Sequence, residues 1–355
     1  MKKGQLLISI LIVLGSINSA CATNASGPRP PLAFEIPDTE LPLSANGPYE
    51  YSKIYKLDYI DPQRDNREVS ISIYYPSIDD QPDKRGAPFP LIINDHKMAN
   101  KFGPHLASHG FVVVGIKRID TGPWDESLIN QPLDYVFVLN QLAENPPEDL
   151  KGIIDTNHVG VWGYSFGGRN SLFLTGARVD PNYYLNLCKN PENSEIDYEE
   201  STIKSMCGPY ENWDEFIQIA GQELVEGEDG LWNPITDQRI LALIPMSGKG
   251  EWLFGQKGLA AADKAIMITA GTNEGTRYEE GYRIFEELGS SRKLFISFIE
   301  QGHMMINSQR PNDQMSHLAI AFFSYYLKGK EEYSQYFSED YVSQIEGLAW
   351  GLYEK

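Results

Sequence analysis

The sequence predicts an α/β class fold: an open, mostly parallel sheet entered through antiparallel strands, with helices on both faces. Three observations carry this. Residues 90–94 and 111–116 are continuous apolar runs, as expected of strands buried on both sides by helices. From there onward helical and strand-like segments alternate. Ahead of them, residues 53–60 and 69–75 alternate apolar and polar side chains, the mark of half-buried antiparallel strands.

Taken in order, strands at 53–60 and 69–75 are joined by the polar turn 62–67, and the strand at 90–94 leads into a loop at 95–100. A helix at 103–108 precedes the strand 111–116, and a helix at 131–144 precedes the strand 158–162. Residues 169–176 read as helical. Strands recur at 240–245, 265–269 and 293–299, followed by a helix over 315–327 and a last one near 341–353. The rhythm breaks between 179 and 236. This stretch holds no strong apolar strand, and it contains Cys188, Cys207 and a helical pattern over 213–224. A structureless connection of this length is unusual, so it is expected to pack as a lid inserted into the sheet domain.

Charge is concentrated there too. The chain carries 30 Lys+Arg against 49 Asp+Glu, a net charge of −19, and the insert's 13 acidic and 2 basic residues account for −11. An anionic surface repels phosphate backbones, which excludes nucleic acid as a partner. The acidic insert disfavours polyanionic substrates and suits neutral or cationic ones; equally, it could serve only to keep the lid solvated.

Residues 1–22 read as an export signal. Lys2 and Lys3 precede an apolar run over 6–14 that is too short for a permanent membrane span, and small residues close the segment. Ala20-Cys21-Ala22 suits cleavage for soluble secretion, whereas Ser19-Ala20-Cys21 resembles a lipoprotein signal in which Cys21 carries the lipid. The Thr/Asn/Ser/Gly/Pro-rich stretch that follows inclines the reading towards a lipid anchor. The expected organisation is signal 1–22, flexible tether 23–46, core 47–178 and 237–355, and acidic lid 179–236, in a periplasmic, envelope-anchored or secreted protein. In such an oxidising compartment Cys188 and Cys207 are expected to form a disulfide, since no histidine accompanies them at metal-ligand spacing.

The chemistry centres on Gly163-Tyr164-Ser165-Phe166-Gly167. Set between a strand and a helix, this G-x-S-x-G places Ser165 on a tight turn above the sheet as a candidate nucleophile. Gly163 and Gly167 are expected because a Cβ would strike neighbouring backbone. A serine needs a base, and the order Ser, acid, His points to a late loop. His303 follows directly on the strand 293–299. His105, His109, His158 and His317 sit at helical or strand-start positions and read as structural, and His96 precedes the serine. Glu274, the only carboxylate in the loop after strand 265–269, is the expected acid, with Glu251 and Glu300 as weaker candidates. The oxyanion donors are expected to be the backbone N–H groups of Phe166 and of Met98 in the 95–100 loop. Tyr164, Trp124 and Trp252 are candidates for an apolar substrate pocket.

Several blocks together resemble the platelet-activating-factor acetylhydrolase and dienelactone-hydrolase-like branch of the α/β-hydrolases. These are Gly47-Pro48-Tyr49, Leu106-Ala107-Ser108-His109-Gly110-Phe111, the Ser165 motif, Gly302-His303 and the stretch 321–329. The resemblance implies an α/β-hydrolase fold and a Ser/acid/His esterase acting on a small-molecule ester without metal or organic cofactor. Two departures stand out. Lys97 replaces the usual glycine of Ser-His-Gly, and Ser247-Gly248-Lys249 stands where the acetylhydrolases place their acid. Besides ester hydrolysis, two other readings use the same scaffold: the same triad acting on lactones, polyesters or peptides, and a catalytically inactive binding protein.

Overall fold

A computed structural model of the 355-residue chain describes residues 30–37, 39–117 and 127–353. The first strands are β1 (Glu50–Asp61), β2 (Arg67–Ile78), the short β3 (Gln81–Pro82) and β4 (Phe89–Asp95). They are followed by α1 (His96–Ser108), β5 (Val112–Ile116), α2 (Ser127–Glu144), β6 (Ile154–Tyr164) and α3 (Phe166–Leu174). Five helices come next: α4 (Pro181–Lys189), α5 (Glu200–Met206), α6 (Gly208–Glu211), α7 (Trp213–Ala220) and α8 (Gln222–Val225). The remainder comprises β7 (Ile240–Met246), α9 (Glu251–Leu259), β8 (Ala265–Gly271), α10 (Thr276–Glu287), β9 (Lys293–Phe298), α11 (Gln309–Lys328), α12 (Glu339–Val342) and β10 (Leu348–Trp350).

The strands form one sheet in the order β1-β2-β5-β4-β6-β7-β8-β9-β10, with β3 paired to β2. The pairings from β5–β4 through β8–β9 are parallel, and those at the two ends of the sheet are antiparallel. This is an α/β-hydrolase fold. The continuous apolar runs follow from its layering. Leu91 and Ile93 point into one core with α2, α3 and α9, while Ile92 points into the other with α1 and α11. Alternation of side chains across the strand sends neighbours to opposite faces, so both must be apolar.

Three sequence expectations change. The 95–100 loop is already helical: α1 starts at His96, because the Asp95 side chain accepts the Met98 N–H and caps it. The chain does not end in a helix over 341–353. Gly347 (φ +86°) and Gly351 (φ +72°) interrupt helical geometry, and the segment between them pairs as β10 on β9. The tether 23–46 is not free along its whole length. Leu43 is fully buried, with its N–H donating to His317 Nδ1 at 3.2 Å and its carbonyl facing His105 Nε2 at 2.9 Å.

The segment between α3 and β7 is held by its own aromatic cluster. Trp213 packs against Tyr184, Phe216 and Trp232, and Tyr184 reaches Trp252 of α9. Cys188 and Cys207 form a disulfide. Arg178 fastens the base of the segment, its Nε donating to the Trp232 carbonyl at 2.6 Å.

Candidate active site

The turn from β6 into α3 places Ser165 in a left-handed conformation, φ +58° and ψ −108°. A non-glycine residue held there is strained, and the surroundings enforce it. A Cβ on Gly163 would lie 1.9 Å from the Gly167 carbonyl oxygen, so only glycine fits. Gly167 is required for a different reason than expected. Its Cβ would meet not backbone but the Asp95 carboxylate, 2.5 Å from Oδ2. That carboxylate is fixed because Oδ1 accepts from Met98 N–H at 3.0 Å and Oδ2 from Tyr164 N–H at 3.5 Å.

Three loops converge at the carboxyl ends of β6, β8 and β9. His303 Nε2 lies 3.0 Å from Ser165 Oγ, and His303 Nδ1 lies 3.0 Å from Glu274 Oε2. With Nδ1–H donating to the carboxylate, Nε2 is left to accept from the serine. The Glu274 side chain is wholly buried. Its Oε1 accepts from Gly271 N–H at 2.8 Å and from Ser247 Oγ at 2.6 Å. The acid loop and the histidine loop are stitched together: Asn273 N–H donates to the Gln301 carbonyl at 2.8 Å, and Glu300 N–H to Thr272 Oγ1 at 2.8 Å.

Tyr164 supports the histidine from below. The two rings stack with centroids 5.0 Å apart, and the tyrosine hydroxyl donates to the His303 carbonyl. Burial pushes the phenol up to about 12, so it stays a neutral donor. Lys97 Nζ sits 5.6 Å from the centre of the Tyr164 ring, which gives this cation an aromatic face to rest on.

Two cavities meet at Ser165 and Phe166. The larger, about 500 Å³, is bounded by His96, Lys97, Ile116, Tyr135, Tyr164, His303 and Met304, among others. Phe166 and Met304 stand half exposed at its mouth, an apolar surface beside the nucleophile. The smaller, about 190 Å³, opens on the other side, against α5 and Trp252.

The remaining expected residues fall as follows. Phe166 is the first residue of α3, with its amide beside Ser165. Met98 does not face the cleft. Its side chain is fully buried and its N–H is spent on Asp95, so its assignment as an oxyanion donor is corrected. The residues of that turn that line the cavity are His96 and Lys97. Glu251 lies away from His303, buried and accepting from the Tyr183 hydroxyl. His109 caps α1, with Nε2 2.8 Å from the Ala45 carbonyl. Trp124 and Cys21 lie outside the described residues. Sequence reading missed Met304, which adjoins His303, and Arg277, which lies three residues beyond Glu274. Their proximity to the two loops was the available signal.

An α/β-hydrolase fold with a serine at the strand–helix elbow, and a histidine and carboxylate in line behind it, defines a serine-hydrolase architecture. Comparison with known proteins agrees at that level. Residues 69–211 match the family described as PET hydrolase-like. Over 78 residues, 22% of this chain and 29% of the other, the sequence is 33% identical to Cutinase 1 of Thermobifida cellulosilytica. The alignment thus spans under a third of the cutinase. The matched family region includes the Ser165 elbow and ends before Glu274 and His303. These similarities support an α/β serine-hydrolase family; they do not reach the specific acetylhydrolase and dienelactone-hydrolase branch that the sequence blocks resemble.

Proposed function

We propose that the protein is an exported carboxylic ester hydrolase working through an acyl-enzyme. The observation that carries this reading is the unbroken line Ser165 Oγ–His303 Nε2 and His303 Nδ1–Glu274 Oε2, each link 3.0 Å. In this mechanism His303 takes the Ser165 proton as Oγ attacks the ester carbonyl, and returns it to the departing alcohol oxygen. Water then enters, His303 accepts its proton, and the acid is released as Ser165 regains its hydrogen. Glu274 holds the imidazole tautomer and stabilises the imidazolium. The Phe166 amide at the start of α3 supplies one oxyanion donor, and the other is the amide of His96, the first residue of α1, because the Lys97 and Met98 amides both go to the Asp95 carboxylate.

The likeness to a cutinase and to PET hydrolase-like proteins supports ester over peptide bonds. The wall that α5 raises beside Ser165 favours a short substrate arm there over a polymer running through the cleft. Export rests on the signal-like residues 1–22 together with the Cys188–Cys207 disulfide. Cys21 is the residue that would carry a lipid anchor.

Labelling with a fluorophosphonate tests the reading, with Ser165→Ala as control. Stoichiometric labelling of the wild type alone is expected. No labelling of the folded wild type would discard the esterase in favour of a binding protein. p-Nitrophenyl esters of increasing acyl length then measure how far the larger cavity extends.

A further inference from the structure

The smaller cavity beside Ser165 has an unusual lining. The sheet domain contributes Arg169, Lys249, Arg277, Leu128 and Trp252, and α5 contributes Ser201, Thr202, Ser205 and Met206. Among the described residues three cations and, besides Ser165, three hydroxyls face this space, and none of the lining residues is a carboxylate. This is unexpected, because the segment over 179–236 is the most acidic part of the chain, with 13 acidic residues. Its carboxylates are kept off this wall, and its neutral donors are presented instead.

The cations come from three separate places. Arg169 belongs to α3, one turn after the nucleophile, and its guanidinium stacks 5.0 Å from the Phe166 ring centre. Lys249 follows β7, and Arg277 is the second residue of α10. Among the described residues the Lys249 ammonium makes no hydrogen bond and no ion pair; it sits 5.9 Å from the Tyr198 ring centre. The Arg277 side chain likewise makes neither. Two acids act on Lys249 electrostatically: Glu280, from the protein interior, whose Oε1 accepts from the Gly250 and Glu251 N–H groups, and, more weakly, Glu199 just ahead of α5. Like charges gathered in a partly desolvated pocket repel one another, and an anion entering the pocket relieves that repulsion. A guanidinium offers the planar fork that matches a carboxylate, and the hydroxyls can donate to its remaining lone pairs.

We propose that this cavity receives a carboxylate carried on one arm of the ester, so that the preferred substrates are monoanionic, such as half-esters of dicarboxylic acids or acylated hydroxy-acids. This deepens the esterase reading and rests on it for the reaction, though not for binding. At about 190 Å³ the pocket has room for a short carboxylate-bearing arm and not for a long chain. The apolar arm would lie on the other side of Ser165, along Phe166 and Met304. The acidic exterior of the inserted segment then does not govern selection. The charge the substrate meets at the nucleophile is positive.

The test compares two matched pairs: 4-nitrophenyl hydrogen adipate against 4-nitrophenyl hexanoate for an anionic acyl arm, and 4-acetoxybenzoate against its methyl ester for an anionic alcohol arm. The readout is the ratio of kcat/KM, anionic to neutral, in wild type and in Lys249→Met/Arg277→Met. For at least one pair the ratio should fall by about tenfold or more, mainly through KM. Lys151→Met, a lysine already paired with Glu148 elsewhere on the surface, should leave the ratio where it is. Ratios within about threefold in both pairs, with the neutral esters still hydrolysed, would overturn the proposal and spare the esterase reading. Calorimetric titration of Ser165→Ala protein with 4-acetoxybenzoate gives an arm independent of turnover. Binding that disappears when Lys249→Met and Arg277→Met are added supports the pocket even if no ester is cleaved. Absence of binding together with unchanged ratios rejects it.

Discussion

Ser247 Oγ donates to Glu274 Oε1 across 2.6 Å, so a serine at the end of β7 buttresses a carboxylate presented after β8. Glu274 is one methylene longer than aspartate, and its reach to His303 depends on having its other oxygen pinned. Ser247→Ala removes one of the two donors to Oε1 and leaves Gly271 N–H alone. A hydrogen bond to a charged group is worth roughly 10- to 100-fold when converted to rate, and the loss should appear in kcat with little change in KM. Glu274→Gln should cost far more, about 10⁴-fold, through the wrong imidazole tautomer. If Ser247→Ala moved KM alone, its role would be in the pocket and not in positioning the acid.

The same contact suggests a rescue. Ser247 has φ +48°, a region that aspartate tolerates better than most residues. Its side chain already points at the Glu274 carboxylate. Ser247→Asp added to Glu274→Ala should therefore recover part of the lost activity, measured against Glu274→Ala alone. No recovery would mean that the loop after β7 cannot bring a carboxylate to His303.

Much of this site was legible in the sequence because its parts are local. The Ser165 turn is specified by glycines two residues either side, and His303 and Glu274 each follow directly on a strand. The cap on α1 is local, Asp95 to Met98, yet from sequence alone 95–100 reads as a loop and the helix begins only at 103. The rest of what escaped depends on contacts between distant segments. The cations at 169, 249 and 277 belong to three elements, and only the sheet order brings them to one cavity. The strand β10 is three residues long, too short for periodicity to reveal.

Gly167 and Asp95 are coupled sterically. Gly167→Ala would force a methyl to within 2.5 Å of an oxygen that cannot swing away without releasing the α1 cap and the Tyr164 amide. A loss of about 1–3 kcal/mol is expected, read from urea unfolding. Asp95→Ala alone should cost about 1 kcal/mol through the lost cap. In the double variant the methyl finds space, so the two losses should sum to more than the measured total. Strict additivity would show that the glycine is required for some other contact.

The disulfide joins α4 to the end of α5, the helix that walls the cationic cavity. Closing a loop 19 residues apart stabilises by about 3 kcal/mol in the chain-entropy model. Cys188→Ser/Cys207→Ser should lower the melting temperature and expose the 188–207 stretch to limited proteolysis. It should also weaken selection for anionic esters before it affects neutral ones, because α5 supplies the hydroxyl wall. Unchanged proteolysis in this stretch would show that the aromatic cluster around Trp213 holds the segment without the bond.

Glu280 makes stability depend on pH in the direction opposite to most carboxylates. It is fully buried on α10, and burial raises its pKa from 4.5 to about 7, with Lys249 opposing that shift and Glu251 adding to it. Between those two values the folded protein keeps a proton that the unfolded chain has released. The group's favourable contribution is thus complete below about pH 4.5 and is lost as pH rises through about 7, a change on the order of 3 kcal/mol. Glu280→Gln cannot ionise, yet its amide oxygen can still accept from the Gly250 and Glu251 N–H groups, which the carboxylate does at 2.7 and 3.2 Å. Urea unfolding at pH 5, 7 and 8.5 should show the glutamine variant gaining steadily on the wild type as pH rises. A stability difference independent of pH would mean that Glu280 stays ionised in the folded protein, with Lys249 and the two amides outweighing its burial.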